Sequence, residues 1–350
     1  IRIESEHNIG VAIQGFTITG AQALPDRVCA EFSKEPFRYL CPGGIQIWGQ
    51  VRALIKDNKI VRNADDGIDV FNGGYAEITG NLIEQNGYEG IQVRQRAKAK
   101  ISNNTIDGNG EIGILVWIDS EVENRGNKII NVKLDPDSEI GDGIEIIDNS
   151  KATIEGNIIV KSARFGIYVG GGRSTHYPTR TFRPSTATIS DNTIEENQYC
   201  GIYVIHSEAT IVHNTIRNNK DRGIWGQDYS ELTVTDNLID GNVLAGIGIG
   251  PHTEAEIRGN EISNTKRDTQ GDFGRGVDIE DYSTATISEN NIHHNMENGI
   301  IVLDRSKVSI TSNTIKNNRA YGIYIDSTST VVSCWGNKLS GNWEGNYGGT

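Results

Sequence analysis

"GNLIEQNGYEGIQV" occupies residues 80–93, and "NNTIDGNGEIGILV" follows at 103–116. Both carry one skeleton: Asn, any residue, Ile, a polar turn, then Gly-Ile-x-Val. The Gly-(Ile/Val)-x-(Val/Ile) phrase begins at Gly44, Gly67, Gly90, Gly113, Gly143, Gly166, Gly201, Gly246, Gly276, Gly299 and Gly322, with a variant at Gly223. Successive steps are 23, 23, 23, 30, 23, 35, 22, 23, 30, 23 and 23, so the period is 23 residues and the longer steps hold insertions. An Asn column keeps the same rhythm through Asn58, Asn81, Asn104, Asn127, Asn157, Asn192, Asn214, Asn237, Asn260, Asn290, Asn313 and Asn337. Each of these Asn residues is followed two positions later by Ile or Leu.

A helical repeat needs a longer apolar run at 3.6-residue spacing than any copy contains. The apolar pieces here are short and β-branched, as in Ala152-Thr153-Ile154, Ile158-Ile159 and Gly143-Ile144-Glu145-Ile146, which marks them as strands. Three short strands per copy in constant order predict an all-β parallel β-helix of at least twelve coils, in which each strand pairs with its equivalent one coil on. Inward Ile and Val then stack into a core that no single coil could bury alone. Asn suits a left-handed corner and an amide ladder, and Gly suits a second tight corner. The whole chain, 1–350, reads as one such domain with insertions at 19–43, 131–142, 170–186 and 263–275.

This pattern resembles the right-handed parallel β-helix proteins of the pectin-lyase-like superfamily, including carbohydrate-active enzymes and surface proteins, over about residues 8 to 340. The resemblance implies a secreted, extracellular or periplasmic protein. The array is already under way at Val11 to Ile18 without a polar segment before it, so a cap from an upstream segment or a neighbouring chain is expected.

The net charge of -13 argues against nucleic acid as a partner. No apolar run reaches the length of a membrane-spanning helix. Cys29 and Cys41 share one Pro-containing loop and are a candidate disulfide, with two free thiols as the alternative.

All four insertions border the sheet of Gly-Ile-x-Val strands, whose outer face is therefore the candidate groove. Alternation turns Gln46, Asp69, Gln92, Leu115, Glu145, Tyr168, Tyr203, Trp225, Gly248 and Asp278 outward, with Trp48, Phe71, Arg94, Trp117 and Glu280 two residues on. Exposed aromatics at Trp117, Tyr168, Tyr203 and Trp225 suit sugar rings, and Arg94 and Asp69 suit sugar polar groups. The alternative is that insertions fold over these rings as packing.

Glu145, Asp142 and Tyr168, with His176 and Arg180 of the 170–186 insertion, are the candidate catalytic group for a lyase, epimerase or glycoside hydrolase. Asp69 and Glu145 are three coils apart, about 14 Å, too far to act as one carboxyl pair. "NADDGIDV" at 63–70 resembles the Asn-Thr-Asp segment of polygalacturonases without that family's Gly-His-Gly and Arg-Ile-Lys companions. "LDPDSEIGDG" at 134–143 resembles the Asp-Pro-His-Asp signature of mannuronan C5-epimerases, with Asp137 where the His belongs. Loop acids also offer the hard oxygen ligands that Ca2+ takes. A non-enzymatic surface, adhesion or assembly module using the same sheet as a protein interface stays open beside the polysaccharide reading.

Overall fold

The structure, a computed structural model, describes residues 1–21, 43–171 and 183–349. It is a parallel β-helix, and no helix occurs among the described residues. Each coil runs through three strands, as in Asp142–Ile147, Lys151–Glu155 and Ile158–Val160. Strands of the third kind form a ladder of 13.

Register is kept from coil to coil. Ile144 pairs with Ile167, Ile167 with Ile202 and Ile202 with Ile224, so one Ile column runs down the inside of the Gly-Ile sheet. Ile154 and Ile159 supply the other two sides of that coil, and all three side chains are fully buried. Burying each contributes about 1.5 to 3 kcal/mol, which is why a short period of β-branched residues suffices to define the core.

The Asn column makes the expected amide ladder. Asn214 gives both its backbone N–H (2.8 Å) and its side-chain amide (3.0 Å) to Asn237 Oδ1, while its own Oδ1 accepts the same pair from Asn192. The left-handed residue, however, is the one before the Asn: Asp57 at φ 54°, Gly80 at 67°, His213 at 55°. Splitting the roles leaves the Asn backbone free to enter the next strand. A second ladder, unannounced by the sequence reading, links Asn63, Asn86 and Asn109, and again Asn197, Asn219 and Asn242.

The glycine column also has another cause than the one expected. None of its twelve glycines has a positive φ. A Cβ at Gly201 would lie 2.6 Å from Ile216 Cγ2 and 2.7 Å from the Gly223 carbonyl oxygen. Glycine is required by close approach of the next coil and of the x-Ile strand, not by a tight corner.

Candidate functional site

The outer face of the Gly-Ile sheet carries three columns. Two are the outward positions of each strand, and the third is the residue just before each glycine: Asp66, Glu89, Ile112, Asp142, Phe165, Cys200, Arg222 and Arg275. Every buried charged side chain among the described residues lies on these strands or within three residues of them. Desolvating a charge costs several kcal/mol unless it is paired, so this concentration distinguishes one face from the rest of a regular solenoid.

In the middle coils the outward rings do not stand in solvent. Tyr168 is 2% exposed and Tyr203 7%, while Trp117 and Trp225 are half-buried. Phe165 meets Tyr203 at 4.8 Å between ring centroids, and Tyr203 meets Trp225 at 5.1 Å. The expected open aromatic row is thus corrected to a second apolar cluster, separate from the main core and joined by Ile112, Leu115 and Cys200. Ring area that would face water packs against its neighbours instead. Gly170 leaves the room for this, because the Tyr168 ring lies where a Cβ at 170 would stand.

Glu145 sits in register between Leu115 and Tyr168 and is 1% exposed. Asp142 is engaged: its Oδ2 accepts from Arg164 Nη2 at 2.7 Å and its Oδ1 from the Phe165 N–H at 3.0 Å. Such a carboxylate is a poor proton carrier and a good strut. The Arg164 guanidinium also stacks over Phe165 and holds the Glu139 carbonyl oxygen, fastening the 131–142 insertion to this face. His176 and Arg180, with Cys29 and Cys41, lie outside the described residues.

Toward the N-terminal coils, Arg94 grips Asp69 through Nε (3.2 Å) and Nη2 (2.7 Å), and both are buried. These two expected ligand groups are paired with each other. Beside them, the Glu89 N–H donates to Asp66 Oδ1 at 3.2 Å, and both carboxyls are buried. Burial first, and Glu89 next to it, pushes Asp66 well up. Burial, then the charges of Asp66 and Asp69, pushes Asp65 up to about 8, and burial chiefly lifts Glu89 to about 7. Protonated carboxyls at neutral pH are the usual currency of general acid catalysis.

The far coils hold a third group. Trp225, Gly248 and Asp278 stand in register, and Arg222 lies over the Trp225 ring at 4.2 Å. Arg275 Nη1 donates to Asp278 Oδ2 at 2.7 Å. Burial and then the Asp278 charge push Glu280 up to about 7. Sequence reasoning missed Glu89, Arg222 and Arg275, although their shared position before the glycine was available as a signal, and it missed Arg164, which stands one residue further back. Among the described residues, no three His, Cys, Asp or Glu side chains are grouped to hold a metal ion.

The family model described as "Right handed beta helix region" matches residues 43–177 and 179–343. No curated protein matches the sequence. Among solved structures, the chain is similar to the Dettilon tailspike protein at 15% identity and a TM-score of 0.57, covering 86% of this chain and 62% of the tailspike. It is also similar to the A-module of the Azotobacter vinelandii mannuronan C-5 epimerase AlgE4, at 13% identity and a TM-score of 0.50, covering 98% and 91%.

Proposed function

The chain belongs to the right-handed β-helix family, and on that footing we propose that it is a polysaccharide-active protein whose glycan lies along the outer face of the Gly-Ile sheet. The observation that carries the reading is the gathering of every buried charged side chain among the described residues on that one face. A solenoid needs no charge there for stability, and buried titratable groups beside aromatic rings are the equipment of a sugar-processing site. That one similar fold is a mannuronan C-5 epimerase module supports the same direction.

In this reading Glu145 moves a proton at the reaction centre, the packed Tyr168 and Tyr203 rings support it from beneath, Asp142 positions the coil through Arg164, and the part-exposed Trp117 and Trp225 bound the sugar. His176 and Arg180 are the further candidates there, while Asp69 and Arg94 extend the face toward the first coils. Secretion to the cell exterior or periplasm belongs to the same reading. No helix among the described residues is long and apolar enough to cross a membrane.

A glycan array tests the proposal. Wild-type protein should retain at least one class of polysaccharide, and Trp117→Ala and Trp225→Ala should each weaken that binding about tenfold. Unchanged glycan affinity in both variants, with loss of a protein partner instead, would replace the reading with the assembly module.

A further inference from the structure

At the corner where a Gly-Ile strand turns into the next strand, the chain places a residue of positive φ, and its character changes along the solenoid. Asn149 holds the position at φ 63°, whereas Tyr229, His252 and Tyr282 hold it at 63°, 56° and 61°. The turn accepts a small amide, so it does not call for a ring. The three rings stack nevertheless. Tyr229 and His252 lie 4.9 Å apart between centroids at 10° between planes, and His252 and Tyr282 lie 5.5 Å apart at 20°. All three are exposed, Tyr229 by 70% and Tyr282 by 50%. A ring sealed on both faces could not show so much surface, so the ladder offers open ring area to solvent.

Two residues past this corner the following strand opens on an outward position, and there Glu208, Glu231 and Glu254 stand in register on three successive coils. All three are exposed, and none makes a salt bridge or a side-chain hydrogen bond among the described residues. Like charges on neighbouring strands repel. Earlier in the same column opposite charges meet, and Lys98 Nζ lies 2.6 Å from Glu121 Oε2. The cations nearest to the three Glu residues within the column, Lys151 and Lys307, are each two coil steps away. That is roughly 9.6 Å, beyond a screening length of about 8 Å.

Elsewhere the chain shows what a ring beside a carboxylate holds. Arg94 lies over Phe71 at 4.6 Å and grips Asp69, Arg164 lies over Phe165 at 4.6 Å and grips Asp142, and Arg222 lies over Trp225 at 4.2 Å beside Asp221. In each case the guanidinium sets its flat face on a ring and its N–H edge on a carboxylate. Arg305 already caps one end of the exposed ladder, with Cζ 5.4 Å from the Tyr282 centroid and Nη1 donating to the phenol oxygen. Tyr229 and His252, with Glu231 and Glu254 two residues on, have ring and carboxylate but no guanidinium from the described residues.

We propose that the rim formed by Tyr229, His252 and Tyr282 with Glu208, Glu231 and Glu254 is a docking surface for an arginine-bearing segment of a partner protein, laid along the solenoid axis. The rim is distinct from the face assigned to the glycan, and the proposal does not depend on the polysaccharide reading. The net charge of -13 draws a basic segment toward the chain, and the rings beside unpaired carboxylates fix where it settles. Two coil steps are spanned by about three extended residues, so a short segment reaches the whole rim. An anionic glycan would meet the carboxylates, and a neutral one would leave them unmatched. Lysine brings the charge without the flat face.

The test is fluorescence-anisotropy titration of labelled hexa-arginine, hexalysine and a neutral hexasaccharide with the whole chain and three double variants. Tyr229→Asn with Tyr282→Asn removes two rings and installs the residue this corner already holds at Asn149. Glu208→Gln with Glu231→Gln removes two charges from the rim, while Asp191→Asn with Glu196→Gln removes two exposed charges from other corners of the coils. Matching melting curves establish that each variant folds. Wild type should bind hexa-arginine about tenfold more tightly than hexalysine. The ring variant should lose about tenfold for hexa-arginine, the rim-charge variant about tenfold for both peptides, and the control less than about twofold for either. Equal losses in the rim-charge and control variants would make net charge alone the cause and overturn the surface. Hexa-arginine bound by the ring variant as tightly as by wild type overturns it too, as does binding of neither peptide. A neutral hexasaccharide held by wild type and lost by the ring variant, with hexa-arginine affinity unchanged, would assign the rim to a glycan and overturn the protein partner.

Discussion

Asn214 concentrates what one residue contributes to this fold. Besides its bonds to Asn192 and Asn237, its side-chain amide donates to the carbonyl oxygens of Ile189 (2.8 Å) and Val212 (3.0 Å). Asn214→Ala leaves two donors of Asn192 and one carbonyl without partners in a buried corner. Chemical denaturation should read a loss of about 2 to 3 kcal/mol, against almost none for exposed Lys307→Ala. Equal midpoints would refute the ladder as a source of stability. The column was legible in the sequence because the amide must recur at every coil. The left-handed residue was not, because Asp, Gly, Asn and His all serve in that position and leave no single-letter column.

At the scale of the strand and its approach, the glycine before each Ile and the charged column ahead of it set the behaviour. Gly201→Ala should cost about 3 kcal/mol through overpacking on Ile216 and the Gly223 carbonyl, read from the same denaturation curves. Stability near that of wild type would mean that the coils have slack. The carboxyls before Gly67 and Gly90 give a pH signature. Their folded pKa values are raised above the ordinary 3.8 for Asp and 4.5 for Glu, so the folded state holds more protons than the unfolded state. The stability they contribute is fully present below about pH 4 and is lost as pH rises toward about 7 for Glu89 and about 8 for Asp65. Melting temperature should therefore fall across that window, and Asp65→Asn with Glu89→Gln should flatten the fall. A wild-type melting temperature that climbs from pH 5 to 8 with the same slope in the double variant would contradict the assignment. The sequence shows Asp65, Asp66 and Asp69 close together in "NADDGIDV" but not Glu89 beside them, since Glu89 lies 23 residues from Asp66 and only coil stacking brings the two together.

For the whole molecule, period and strand type were legible because the same inward Ile must fill every coil. The outer face was legible in direction only. Alternation turned Tyr168 and Tyr203 away from the core correctly, yet whether a ring turned outward meets water or another ring depends on neighbours such as Phe165 and on the empty position at Gly170. Charge pairing was hidden for the same reason: Arg94 with Asp69 and Arg164 with Asp142 join residues more than twenty positions apart. What the face does with its remaining carboxyls is the central claim. The most direct measurement is mass spectrometry of products after a polysaccharide library is incubated with wild-type protein and with Glu145→Gln, a change that keeps size and abolishes proton transfer. The account predicts a new product from one glycan class with wild type, and its loss, with glycan binding retained, in Glu145→Gln. Product formed equally by both proteins would contradict Glu145 as the proton carrier, and no product from any polysaccharide with wild type would contradict the enzymatic claim itself.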